Sequence, residues 1–454
     1  MKLTLQTYLG GQWRDAAQLT LTNPEQGHSG ESLLGYHPQA YALEHLGRDD
    51  TAACSLRLPV DLMQTYRAKP WFSFLDDIIP AGASRRYWVN HLGIGHLSPN
   101  QQDAQLLARG TIAPVGNLRI KEALPVMPAG SQLAQLRFAL ADVVERQSDF
   151  LEYAQAMGAA SGGATGAGGE APKLLVRASL SNESLPQEIW IDTWQEDTSN
   201  QDQHYLVKFP RGKRSQDDCD ILRAEYHYYH ELHSLGMDTI DIAAMRLLEG
   251  EQYPSLWLPR FDVSFHTGQC ERYGLESVYA LLAKAPGSFL NHFSVLRDLV
   301  LILQQQYAVQ EMGKKFDQAS FVCEWVKRDF LNVVYGNSDN HGRNTALIKR
   351  PQGIWLSPIY DFAPMKADPE GVTRSTTWGS PYEEAGRFDW VAIAHALGDL
   401  VEPERVISEL RQLAAQLGDL RERLAARGVP AQLLAKPTFG FDFLAEKLTR
   451  WQLV

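Results

Sequence analysis

Residues 333–348, VVYGNSDNHGRNTALI, place a run of turn-forming residues between an apolar stretch and a mixed one. Clusters of Gly, Asn, Asp and Ser between periodic segments are most often plain loops. This one also carries Asp339, His341 and Asn344, three groups able to move a proton or hold a cation. Whether it is a turn or a site depends on what the rest of the chain supplies.

The chain has 454 residues, beyond the size at which a single hydrophobic core keeps growing, so two or more lobes with a cleft between them are expected. Hydrophobic residues at 44% and charged ones at 21% describe a globular protein, not a disordered or membrane one. A net charge of -11, with no segregated basic patch, opposes direct binding to a phosphate backbone. Cys54, Cys219, Cys270 and Cys323 lie far apart without CxxC spacing, which fits buried free thiols in a reducing compartment. The opening MKLTLQTYLGGQWRD breaks too early for a signal peptide, and no stretch approaches a membrane span. A cytoplasmic protein with no membrane partner is therefore expected.

Along the chain, residues 1–130 read as a β-rich subdomain in which LTLQTYLGG and AACSLRLPV are strand-like. Within it, Trp71, Phe72, Phe74, Leu75, Ile78 and Ile79 suit one apolar helical face stopped by Pro80 and Gly82. Residues 131–258 read as a second unit. It starts with an amphipathic helix through Leu133, Leu136, Leu140 and Val144, followed by the glycine-rich run GAASGGATGAGGEAPK at 158–173. So poor a run in side chains either links domains or brings backbone N–H groups close to an anion. It is not a Walker A loop, because Leu174 stands where a magnesium-binding Ser or Thr is needed. HYLVKFP then reads as a strand carrying Lys208, and ILRAEYHYYHELHSLGM as a helix carrying Glu225. Residues 259–454 read as an all-helical unit holding the opening loop and SPIYDFAPM.

Taken singly, each of these is commonplace: strand lysines are usually solvated, and helix glutamates are usually exposed. Their order carries more. Phosphoryl transfer from ATP uses a loop over the phosphates, a lysine held by a helix glutamate, an aspartate that orients the attacking hydroxyl, and an asparagine and second aspartate that hold Mg²⁺. Gly166, Gly168, Gly169, Lys173, Lys208, Glu225, Asp339, Asn344 and Asp361 occur in that sequence, and Asp339-x-x-x-x-Asn344 has protein-kinase catalytic-loop spacing. Asp361 precedes Phe362 as in the metal-binding Asp-Phe-Gly, with Ala363 in place of glycine. His341 is either a second catalytic group or a lock on the loop. An EF-hand is excluded by Ile348 at the bidentate Glu position, and a serine-hydrolase elbow by the absence of G-x-S-x-G.

The stretches FSFLDDIIPAGASRRYW, GGEAPKLLV, YLVKFP, AEYHYYHELHSLGM, LPRFDVSF, VVYGNSDNHGRNTALI and LSPIYDFAPM together resemble the HipA-like serine/threonine kinases of bacterial toxin–antitoxin modules. The resemblance implies an α+β, protein-kinase-like two-lobed fold with an added N-terminal β-rich subdomain and an all-helical C-lobe. It also implies ATP and Mg²⁺ in the cleft, with Lys208 on the phosphates, Asp339 as base, and Asn344 and Asp361 on the metal. Leu258 to Phe261 would be the hinge against adenine, with Asp262 just beyond. It further implies a protein substrate of the translation machinery, such as an aminoacyl-tRNA synthetase, and a small helix-turn-helix antitoxin through which DNA is met only indirectly. The loop serine that such kinases phosphorylate in themselves falls here on Gly166, with Thr165 and Ser161 nearby. An ATP-binding pseudokinase serving as scaffold in an antitoxin–DNA complex is the alternative.

Overall fold

Five antiparallel strands form the first layer: β1 (Lys2–Leu9), β2 (Gln12–Leu21), β3 (Ser32–Tyr36), β4 (Thr65–Ala68) and β5 (Leu118–Ile120), in the order β4-β3-β2-β1-β5. The structure is a computed structural model that describes residues 1–127, 130–158, 172–266, 268–305 and 316–454. Alternation along β1 and β2 sends Leu3, Leu5, Leu19 and Leu21 into one core with Leu34, Trp71, Phe72, Phe74, Leu75, Ile78 and Ile79. The last six of these are buried as expected, but not on one helix. Only Leu75–Ile78 is helical, Pro80 ends it, and Gly82 opens a new helix, Gly82–His91, rather than closing the old one. The strand expected over AACSLRLPV is a series of turns.

A second sheet contains β6 (Phe138–Ala139), β7 (Lys173–Leu180), β8 (Pro186–Trp190), β9 (Gln203–Lys208), β10 (Arg246–Glu249) and β11 (Pro254–Pro259), ordered β10-β11-β9-β7-β8-β6. All its pairings are antiparallel, and the β7–β9 register sets Lys173 directly opposite Lys208. The single long helix expected before this sheet is broken. Phe138–Ala139 extends to pair with β8, so helix appears only at Leu140–Val144 and Ser148–Ala156, with Arg146 at positive φ between them. Strand pairing there overrides the helical spacing of the leucines. Helix Gln216–Ser234 forms as read, started by a capping box between Ser215 and Asp218.

The region after 259 is not all-helical, which corrects the expectation. β12 (Val263–His266) pairs with β13 (Gln269–Arg272), β14 (Gly274–Ser277) is followed by β15 (Leu290–Asn291), and β16 (Ala346–Arg350) and β17 (Gly353–Leu356) extend β14 into a three-stranded sheet. β18 (Thr376–Thr377) runs parallel to β15. The missed cue is ALIKRPQGIWL, two apolar runs flanking a Pro-Gln-Gly turn, which is hairpin chemistry. Helices His292–Gln305, Gln318–Tyr335, Trp390–Ala396, Pro403–Ala414, Leu420–Arg427 and Leu444–Arg450 contribute much of the largest core. All four cysteines are free and buried, and among the described residues no helix is long and apolar enough to cross a membrane.

Polar clamps tie the first layer to the C-terminal region. Asp77 accepts hydrogen bonds from the Ser277 backbone N–H at 2.7 Å and from its hydroxyl at 2.6 Å. Glu276 accepts from the Leu56 N–H at 2.9 Å, and Lys349 Nζ donates to the Ala53 carbonyl at 3.1 Å. Burial pushes the Asp77 carboxyl up to about 6 from 3.8, against the opposing charge of Arg343. The folded state thus keeps its proton to higher pH than the unfolded chain, so this contribution is full below about pH 4 and is lost as pH rises through about 6. Asp77→Asn, neutral throughout, should lack that slope: wild-type minus variant stability from urea unfolding should fall by roughly 2–3 kcal/mol between about pH 4 and 7.

Candidate active site

Lys208 ends β9 with its ammonium buried, a position that is tolerable only beside anions. Glu225 supplies one, Oε1 lying 2.6 Å from Nζ, and Asp361 supplies another in direct hydrogen-bond contact. Lys173, opposite Lys208 in the register, reaches the second Asp361 oxygen at 3.6 Å. Like charges facing each other across a strand pair repel. Asp361 lies against both and offsets that repulsion. Burial alone would raise the Asp361 carboxyl, but Lys173 and Lys208 hold it well below the usual carboxylate range. Burial likewise works against the Lys208 ammonium, yet Asp361 and Glu225 raise it above its ordinary value, while Lys173, for which burial dominates, is lowered. Asp361 adopts φ +54°, a left-handed backbone uncommon for a residue with a side chain and characteristic of functional sites.

The opening loop is held from both ends. Helix Gln318–Tyr335 stops at Gly336, whose φ of +69° caps it, and a Cβ there would come within 2.4 Å of the Phe439 ring. Asn340 then pins the loop to β18, donating to the Thr376 carbonyl at 2.7 Å and accepting from the Ser375 N–H at 3.2 Å. Asn344 Nδ2 donates to the Asp339 carbonyl at 2.7 Å, fixing the amide so that Oδ1 is buried with no hydrogen-bond partner among the described residues. A buried open amide oxygen is the donor type a hard divalent cation takes, so Asn344 fits Mg²⁺, whereas both Asp361 oxygens face lysine ammonium groups. His341 Nδ1 accepts the Arg343 N–H at 3.3 Å, which leaves the other ring nitrogen to carry the proton, 3.5 Å from Asp339 Oδ1. It therefore locks the loop and faces the aspartate at once.

A slot of about 440 Å³, walled by Val115, Leu206, Leu258, Phe261, Leu275 and Tyr360, opens beside Lys173, Lys208 and Asp361. Those three also line a second hollow of about 490 Å³ with Glu225 and Asp339, so apolar slot and charged floor form one cleft. Leu258 and Phe261, expected at the hinge, both wall this slot, the Phe261 ring stacked 5.7 Å from Tyr360. Asp262 borders the slot, but its carboxylate is committed: Arg260 takes both oxygens, at 3.0 and 2.5 Å, and the Gly116 N–H donates to one at 2.6 Å. Gly166, Gly168 and Gly169 lie outside the described residues, as do Ser161 and Thr165.

Two contributors escaped the sequence reading. Tyr229 donates to Glu225 at 3.1 Å and accepts from the Phe362 N–H at 3.3 Å, linking the helix to the residue after Asp361. Its i+4 spacing from Glu225 was the available signal. Val115 comes from the first 120 residues, and nothing in its local sequence marks it for the cleft.

Residues 165–419 match the HipA-like C-terminal domain family, more than half of the chain. The chain belongs to the HipA-like kinase family, a family of serine/threonine protein kinases. Among solved structures, it is similar to a chain of the Shewanella oneidensis MR-1 complex of HipA, HipB and operator DNA, at 16% identity, with TM-score 0.58, over 99% of this chain and 95% of that one. That likeness concerns the mixed α+β fold. A Helicobacter pylori proinflammatory kinase, CtkA, aligns with 62% of this chain and 89% of its own at 12% identity and TM-score 0.36. No curated protein matches.

The capping geometry yields a direct expectation. Gly336→Ala should destabilise the protein by about 2 kcal/mol in urea unfolding, combining left-handed backbone strain with overlap on Phe439.

Proposed function

We propose that the protein is an ATP-dependent serine/threonine protein kinase of a toxin–antitoxin module. The observation that carries this reading is the convergence of Lys208, Glu225, Asp361 and Asp339 on the floor of one cleft whose roof is an apolar slot. ATP would supply the phosphoryl group, and Mg²⁺, which Asn344 and Asp361 would hold, would supply neutralising charge. Lys208 is kept protonated by its two carboxylate neighbours and holds the phosphates. Asp339, half-exposed at the cleft floor, orients the incoming hydroxyl and accepts its proton, with His341 beside its carboxylate at 3.5 Å. Leu258 and Phe261 take the adenine by apolar contact. Pro259, which has no N–H, leaves its recognition to other backbone groups.

The substrate we assign is a protein of the translation machinery, an aminoacyl-tRNA synthetase for instance, and the outcome growth arrest. A small helix-turn-helix antitoxin would neutralise it, and the solved relative in complex with HipB and operator DNA supports that partnership. Asp339→Asn should bind a non-hydrolysable ATP analogue with Mg²⁺ as wild type does, yet transfer phosphate about 10²–10⁴-fold more slowly in a radiolabel assay. Equal transfer by this variant would remove Asp339 from its role. Wild-type protein that ATP stabilises but that labels nothing in a cell extract would point instead to a scaffold.

A further inference from the structure

Beyond the adenine end of the cleft, on the same face of the second sheet, lies a separate cavity of about 340 Å³. The alternation that points Lys173 and Lys208 into the cleft also turns Arg177 and His204 toward this cavity. Arg260 and Arg272 complete a lining with three guanidinium groups. Arg260 is matched, and Arg177 is matched at all but its Nε. Arg260 is forked onto Asp262, while Arg177 donates to Asp192 at 2.9 Å and to Asn200 at 2.6 and 2.7 Å.

Arg272 is not. Its side chain is 1% exposed, yet Nε and Nη1 have no hydrogen-bond partner among the described residues. The nearest carboxylate oxygen, on Asp192, is 3.8 Å from its Nη2 and already serves Arg177. The Tyr8 ring, 5.6 Å away, offers only a weak cation–π contact. Buried polar atoms of His204 and Gln195 are open as well. Burial, with Arg272, Arg177 and Arg260 adding to it, holds His204 well below its ordinary value, so the ring is neutral and the surrounding potential positive. A buried guanidinium whose one nearby carboxylate oxygen is shared with a second arginine is left short of counter-charge, and guanidinium forks match tetrahedral oxyanions.

We propose that this cavity binds a small oxyanion, inorganic phosphate or the phosphate group of a phosphorylated metabolite, through Arg272 with Arg177 and Arg260. Arg260 borders both this cavity and the adenine slot, so the bound anion bears on the Arg260–Asp262 pair beside the hinge.

Thermal unfolding of the full chain tests this, with the nucleotide cleft saturated by a non-hydrolysable ATP analogue and Mg²⁺ and ionic strength held constant with chloride. Millimolar inorganic phosphate should raise Tm by about 2–4 °C, and Arg272→Met should abolish the rise. A matching rise with glucose 6-phosphate would assign the site to phosphorylated metabolites, and a response to phosphate alone to the free ion. No rise in wild type, or an equal rise in the variant, overturns the proposal. Should Arg272→Met fail to fold, tungstate soaked into wild-type crystals decides: density against Arg272 supports the site, and density only elsewhere or none refutes it. Because this readout concerns a cavity apart from Asp339, it can fail while kinase activity stands, and the reverse.

Discussion

The structure of the cleft depends on one buried ammonium. Lys208 stands almost wholly buried at the end of a strand, and it must be neutralised by groups that arrive from different parts of the chain. Glu225 comes from a helix and Asp361 from the segment after β17. Neither can move without leaving a charge uncompensated in a low-dielectric interior, a loss of about 3–5 kcal/mol when one partner of such a pair is removed. Tyr229 braces the arrangement by bonding both to Glu225 and to the backbone following Asp361. The cluster is therefore as much a fastening between sheet, helix and loop as a set of chemical groups.

What could be read in advance follows from locality. The Lys208 strand, the Glu225 helix and the Asp339 loop were legible because periodicity, caps and turn residues are written within a dozen positions of each other, and chemical groups in a required order reinforce one another. The failures have the opposite character. Phe138 and Ala139 leave their helix because β8 lies alongside, and Phe72 and Phe74 are buried without being helical because a sheet, not their own backbone, covers them. The hairpin Ala346–Leu356 was written locally and was missed because the neighbouring helices set the expectation. Val115 and the Gly116 N–H bond to Asp262 belong to long-range packing, which no short window contains, whereas the Arg260 fork onto Asp262 spans only two positions.

The N-terminal layer is more than an appendage. Gly116 donates to Asp262, Val115 lines the slot, and Asp77, Ser55 and Ala53 are bonded to strand β14 and to strand β16, which directly follows the loop at 336–344. Arg343, inside that loop, donates to the Asp76 carbonyl at 3.0 Å. The loop is thus pressed between two bodies, which stiffens a short polar segment.

The face-to-face placement of Lys173 and Lys208 has its own consequence. Side chains alternate along a strand, so sliding β7 past β9 by a single residue would swing one ammonium into the apolar layer of Val176, Tyr205, Val207 and Trp257. Hydrogen-bond alignment and electrostatic competence are therefore one property of this strand pair: any change in the connection through β8 that alters their alignment disrupts the charged cluster without touching a residue in it.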